Sequence, residues 1–317
     1  MVNRSMEWRV HDWRGGLCGT ICALALIVMA PMALATAAGP KSFASPEAGI
    51  TALVEAVKVD DQPMLLAVLG PHGSKLISSG DAVADRHSRE GFLKAYGEAN
   101  KLVFAGDTKA TLVIGKDEWP MPIPLVKVKD GWRFDTQQGE KEILARRIGR
   151  NELAAIKVCL AITDAEHEYA VRDLDGDGIP EYAPKFVSMP GKRDGLYWQT
   201  QGDEPLSPLG PLLAAAAGEG YTRSASRALA PYHGYFYRIL TRQGKDAPGG
   251  AYDYFVKDKM IGGFAVIAYP ARYGASGIMS FMVNHDGVVY EKDLGKNTAA
   301  IASKMTTFNP AASWKRP

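Results

Sequence analysis

The sequence predicts an α+β protein in two parts. Three observations carry that reading. Helical periodicity dominates residues 46–98, and antiparallel hairpin patterns follow it. A second long helical pattern, residues 151–171, leads into strand segments rich in Tyr and Phe. An apolar run near the N-terminus is flanked by basic residues on one side and small residues on the other, which sets it apart from the fold.

Residues 1–16 carry Arg4, Arg9 and Arg14, and the stretch from Leu17 to about Ala35 is uncharged and apolar. It ends in Ala33-Leu34-Ala35 and Ala35-Thr36-Ala37, both of which fit a leader cleavage pattern. Residues 1–37 are therefore read as a secretory signal peptide. A retained membrane anchor is the competing reading; Pro31 and the small residues that close the run favour cleavage. The leader has no twin Arg, and no lipobox precedes Cys18 or Cys22, so the expected route is general secretion, to the periplasm or the exterior. Cleavage would leave Cys159 with no intrachain disulfide partner, and its place among apolar positions predicts a buried, inert thiol. Charge is nearly balanced, 37 basic against 35 acidic residues, which argues against nucleic acid as a partner; no membrane contact is expected after cleavage.

The first globular part is expected over residues 42–148. Ser45 is a helix cap, Pro46 suits the first helical position, and Ile50, Leu53, Val54 and Val57 recur at helical spacing. "PMLLAVLG" starts a second short helix that ends at Gly70, and "DRHSREGFLKAYGEA" gives a further one with Phe92, Leu93 and Tyr96 on one side. "ATLVIG", "MPIPLVKV" and "GWRFDT" then read as strands, with a hairpin turn at Asp130-Gly131. This order, with the "LVKVKDGWRFD" hairpin, resembles the cone-shaped nuclear-transport-factor-2-like fold, in which a curved sheet wraps helices. In such a cone His72, His87, Asp81 and Asp85 are candidates to line a pocket, although their segments read equally as exposed loops.

The second part is expected over residues 149–310. "NELAAIKVCLAITDAEHEYAV" is its amphipathic helix, with Asn151 as the cap and Leu153, Ile156, Leu160, Thr163 and His167 along one side. An Asp-rich loop, residues 173–181, follows. "GYFYRILT", "AYDYFV", "GGFAVIAYP", "IMSFMVNHDG" and "VVYEKDLG" then form an antiparallel meander. A long helix, a loop and a meander resemble the globular half of pilins and pseudopilins. The polymerising N-terminal helix of a pilin is replaced here by another domain, so the resemblance implies shared shape and no pilus.

Taken together, "FASPEAGITALVEAV", "DLDGDGIPEYA", "GYFYRIL" and "MSFMVNHDGVVYEKDLG" resemble a bacterial family known as domain of unknown function 2950, over roughly residues 42–310. That resemblance implies export and the two-part architecture. It supplies no activity and no catalytic residues.

Motifs with chemistry are few. "YGASGIMS" lacks the Gly-x-Ser-x-Gly spacing of a nucleophile elbow, and His167-Glu168 lacks the second His of a zinc helix, since position 171 is Val. Glu166 and Glu168 point in different directions on a helix. The runs around Tyr235 and Tyr254 read as core strands. The Asp-rich loop is the best lead. Asp173, Asp175 and Asp177 occupy the first, third and fifth positions of a calcium loop, Gly178 the sixth and Glu181 the ninth. The twelfth position, which should be a bidentate Glu, is Pro184. Calcium with a structural role and a plain polar turn both stay open. Two functional readings follow. One is an exported, non-catalytic binding or assembly module whose partner is another envelope protein. The alternative is a periplasmic hydrolase, or other enzyme, using a pocket in the N-terminal part.

Overall fold

Ser45 starts the first helix as its chemistry dictates. Its hydroxyl accepts from the Ala48 N–H (3.2 Å), and Pro46, at the first position, has no N–H to satisfy. The computed structural model describes residues 39–200, 202–221 and 230–317; the expected signal peptide, with Cys18 and Cys22, lies outside the described residues.

Helix α1 (Pro46–Lys58) is followed by α2 (Gln62–Leu69), capped by Asp61 and stopped at Gly70. A 3-10 turn (Pro71–Gly73) leads into the short α3 (Ser74–Ile77) and then α4 (Ala82–Glu98), whose cap Asp81 accepts from the N–H groups of Val83 and Ala84. Five strands follow: β1 (Asn100–Ala105), β2 (Lys109–Ile114), β3 (Trp119–Pro120), β4 (Leu125–Val128) and β5 (Gly131–Phe134). They form an antiparallel sheet in the order β1-β2-β4-β5, with β3 on the side of β2. At the expected hairpin only Gly131 has positive φ (126°), while Asp130 does not. A Cβ at Gly131 would lie 2.2 Å from the Phe43 carbonyl oxygen, whose strand pairs there with Trp132, so glycine is required. Leu53, Val54, Leu65, Leu112, Leu125 and Phe134 form the core between α1, α2 and this sheet.

The largest departure from the sequence reading is α5 (Thr136–Ala170), a single helix of 35 residues. Asn151 does not cap it. Asn151 is buried mid-helix, and its amide donates to the Ser276 carbonyl (2.9 Å). The buried face differs as well: Leu153 (64% exposed) and Leu160 (39%) point outward, while Ala155, Val158, Cys159 and Ile162 face the core. Small side chains let the helix lie close to the sheet beneath it, and closeness outweighs side-chain bulk in choosing the face.

That sheet is antiparallel, in the order β13-β12-β11-β6, built from β6 (Tyr235–Leu240), β11 (Ala265–Pro270), β12 (Met279–Asn284) and β13 (Val289–Asp293). Between its first two strands lie the short β7 (Arg242–Gln243), β8 (Tyr252–Asp253), β9 (Phe255–Val256) and β10 (Lys259–Met260). Helix α6 (Gly210–Gly218) precedes the sheet, and α7 (Thr298–Ala302) and β14 (Thr307–Phe308) follow it. Strand β14 pairs with β7 in parallel, the exception among the paired strands β1–β14. The protein is thus mixed helix and antiparallel sheet, an α+β fold. No helix among the described residues is long and apolar enough to cross a membrane.

Candidate functional site

The N-terminal sheet and helices do not close on one another completely. A cavity of about 770 Å³ opens between them. Its walls are mostly apolar: Leu53 and Val57 of α1, Leu65 and Leu69 of α2, Phe92 and Ala95 of α4, with Ile114, Trp119 and Met121 from the sheet side. Helix α4 explains why the space exists. Of its 17 residues only Asp85 is buried, and its apolar positions Phe92 and Ala95 are half-buried, packed against the core on one side and lining the cavity on the other. Gly91, also on α4, lines the same space, and a Cβ built there would meet nothing within 4 Å.

The polar part of the wall comes from α5. Ile143, Arg146, Arg147 and Arg150 line the cavity at positions i, i+3, i+4 and i+7, one stripe of the helix. Arg146 is paired with Glu142 (2.6 Å). Arg147 is different. Its two terminal nitrogens donate to the carbonyls of Lys75 and Leu76 (2.7 Å each), in α3, and no carboxylate is bonded to it. Burial holds the Arg147 guanidinium below its ordinary value; Asp85 opposes that effect and the charge of Arg150 adds to it. Arg150 has no ion pair among the described residues. The Arg stripe "ARRIGR" was readable as a helix face, but three arginines on one face look like a solvated surface until the sheet opposite is known.

Of the residues proposed from sequence for an N-terminal pocket, Asp85 alone lines the cavity. Its carboxylate is occupied by the Ser79 N–H (2.9 and 3.1 Å). Asp81 is buried as the α4 cap, and its second oxygen accepts from the Gly234 N–H (2.8 Å) and the Tyr221 hydroxyl (3.0 Å). His72 is near Glu140 (3.1 Å), and His87 is exposed on α4. The expected pocket is there, but its polar side is built by different residues.

The Asp-rich loop does bring its acids together. Asp173, Asp175 and Asp177 place carboxylate oxygens within 4.8 Å of one another, and all three residues are exposed. Positive φ at Asp173 (42°), Gly176 (74°) and Gly178 (77°) bends the chain. Asp173 accepts from the Gly178 N–H (3.2 Å) and Asp177 from the Ile179 N–H (2.9 Å). Sequence reasoning missed Lys259, on β10. Its ammonium lies 2.5 Å from Asp175, 2.5 Å from Asp177 and 3.9 Å from Glu181. Glu181 therefore sits beside the lysine, outside the group of three aspartates. The hydrogen bond from Lys259 lowers the Asp175 pKa, while burial, with the neighbouring acids, raises that of Glu181.

Behind the loop, Glu166 of α5 is fully buried. One oxygen accepts from the Ala183 N–H (2.8 Å), and the other has no partner among the described residues. Burial raises its pKa well above the carboxylate range. His167 is exposed, its ring edge-on to Phe264 (5.7 Å). Cys159 is buried and its thiol pushed up to about 12 by burial, an inert setting. Ser276, the serine weighed for a nucleophile, is fully buried and its hydroxyl is engaged with the backbone of Arg272.

The fold and the cavity define an α+β protein with a sizeable, mostly apolar recess and an acidic loop bridged by a lysine. Residues 40–316 match the family described as "Protein of unknown function (DUF2950)", and the chain belongs to that family. No curated protein and no solved structure matches it.

Proposed function

We infer that this is an exported, non-catalytic binding protein that holds a small ligand in the cavity of its N-terminal half. One observation carries the reading: a recess of about 770 Å³ whose walls are mostly apolar and also carry charged side chains. Ligand sites of roughly 300–1,000 Å³ have this composition. The hydrolase alternative would have to draw on Asp85 and Ser88 in the same wall. Asp85 is bonded to the Ser79 N–H and the Ser88 hydroxyl donates to the Ala84 carbonyl, so the two do not bond each other as a nucleophile and its base would.

The finer parts of the reading belong to the same proposal. Export rests on the leader pattern of residues 1–37. The division into residues 42–148 and 149–310 is supported by two separate buried clusters, one around Leu125 and Phe134 and one around Ile162 and Phe281. Helices against a five-stranded antiparallel sheet support the nuclear-transport-factor-2-like cone, and a long helix on a four-stranded antiparallel sheet supports the pilin-like shape. In the Asp-rich loop we assign any calcium a structural role.

The test uses a neutral, environment-sensitive fluorophore, N-phenylnaphthylamine. The purified protein should bind it with enhanced, blue-shifted emission, and Gly91→Phe, which projects a ring into the recess, should abolish the signal. Equal emission from the protein and the variant would place the dye elsewhere and remove the support for the cavity.

A further inference from the structure

We propose that the cavity takes a single-chain amphipathic anion, its apolar body among α1, α2 and α4 and its anionic head against Arg147 and Arg150 of α5. This rests on the cavity being a ligand site, and goes beyond it by naming what the ligand must carry.

The argument is one of charge accounting along the wall. Five basic side chains line the cavity: Arg89, Lys116, Arg146, Arg147 and Arg150. Arg89 is matched by Asp60 (2.9 Å) and Arg146 by Glu142 (2.6 Å). Among the acids of the wall, Asp85 opposes the loss of charge on Arg147, while its carboxylate accepts from the Ser79 N–H and is not bonded to Arg147. Glu98 at the end of α4 and Asp117 beside Lys116 also line the wall, and neither makes an ion pair with Arg147 or Arg150 among the described residues. The α5 edge is left with Arg147 and Arg150, two guanidinium groups on one stripe and no carboxylate bonded to either.

That arrangement costs stability in the empty protein. Like charges three and four residues apart on a helix repel, and a guanidinium withdrawn from water needs compensation. Arg147 uses two of its five N–H donors on the α3 carbonyls, which fixes its position and leaves its charge uncancelled. A guanidinium held in place with donors to spare is suited to a carboxylate or a phosphate monoester, which it binds through paired hydrogen bonds. The apolar walls beyond it would reject a small hydrophilic anion, since such a ligand leaves the recess empty. A molecule with both parts satisfies both surfaces.

The test compares dodecanoate, dodecyl phosphate, dodecanol and dodecyltrimethylammonium by displacement of the neutral fluorophore, each below its micelle concentration. Dodecanoate and dodecyl phosphate should each compete about tenfold or more better than dodecanol, the worth of one charge-assisted hydrogen bond. The ratio between the two tells which head group the site favours. Arg150→Glu should erase the preference for the anions, read within that variant as the ratio of anion to dodecanol competition. Because Arg147 also holds α3, its variant is Arg147→Lys, which should reduce the anion preference while the dye still binds. If the dye binds but dodecanol or the ammonium competes as well as the anions, the anion proposal falls and the ligand site stands. If neither dye nor any of the four binds, both fall.

Discussion

Gly91 is the residue at which stability and binding can be set against each other. It lies in the interior of α4, away from both ends of the helix, with ordinary helical φ. A glycine there costs roughly 0.8–1.0 kcal/mol relative to alanine, because the unfolded chain loses more freedom at glycine than at any other residue. Nothing in the packing repays that cost: a Cβ at Gly91 would touch no atom within 4 Å. Gly91→Ala should therefore stabilise the protein by about 0.8 kcal/mol, with no opposing clash. For a domain of this size 1 kcal/mol corresponds to roughly 2–4 °C, so the melting temperature should rise by about 2 °C.

The assay is paired. Differential scanning calorimetry reads the stability, and titration with the neutral fluorophore reads the recess. Alanine is short, so Gly91→Ala should keep dye binding within about twofold of the parent, less than the free energy of one buried methylene. Gly97 is the control. It lies on the same helix, a Cβ there also meets nothing within 4 Å, and it does not line the cavity. Gly97→Phe should leave dye binding intact where Gly91→Phe abolishes it. A Gly91→Ala protein that melts at or below the parent temperature would refute the reasoning, because the open space over Gly91 would then be filled by something the geometry does not contain. Identical dye responses to Gly91→Phe and Gly97→Phe would refute the placement of the ligand.

The other predictions concern the second half and the leader. Glu166 has a folded pKa above its unfolded value, so the stability it contributes is full below the ordinary carboxylate pKa, about 4.3, and is lost as pH rises through the folded value. Glu166→Gln keeps an acceptor for the Ala183 N–H and should gain stability relative to the parent as pH rises from about 5 to about 8; parallel stability curves for the two proteins would sink this. In the Asp-rich loop the Lys259 ammonium stands where a cation would be held, so calcium should raise the melting temperature of Lys259→Met more than that of the parent, and Asp175→Ala should abolish the response in both. A loop that answers calcium in neither background is a polar turn. The mature protein should begin between Thr36 and Gly39, and an intact mass that includes residues 1–35 would promote the anchor reading.

What the sequence revealed, and what it hid, divides along the range of the forces involved. Ser45 and Gly70 were legible because caps and positive-φ stops act within four residues, and the structure uses Ser45 as a cap and Gly70 as a stop. The three aspartates were legible for the same reason: alternate positions on a turning chain converge locally. Lys259 was not, since it lies 84 residues from Asp175 in the chain and reaches it only because β10 folds back beside the loop. The N-terminal half of α5 was hidden by its own composition. Gly139 and Gly149 look like breaks, and Asn151 looks like a cap. Yet Gly139 is there because a Cβ would lie 2.6 Å from the Pro122 carbonyl, and Asn151 because its amide satisfies the buried Ser276 carbonyl.

The misreading of α5 had a consequence for the site. Starting the helix at Asn151 leaves "EILARRIGR" without an assigned element, and its arginines without a fixed common direction. Once Thr136–Ala170 is one helix, Arg146, Arg147 and Arg150 fall on a single stripe, and the cavity opposite gives that stripe something to face. The same continuity has a mechanical side. Ile143, Arg146, Arg147 and Arg150 line the recess, and Ala155, Val158, Ile162 and Tyr169 are buried in the second core, on one helix. A ligand that bonds Arg147 or Arg150 is then attached to the element on which the second half is built.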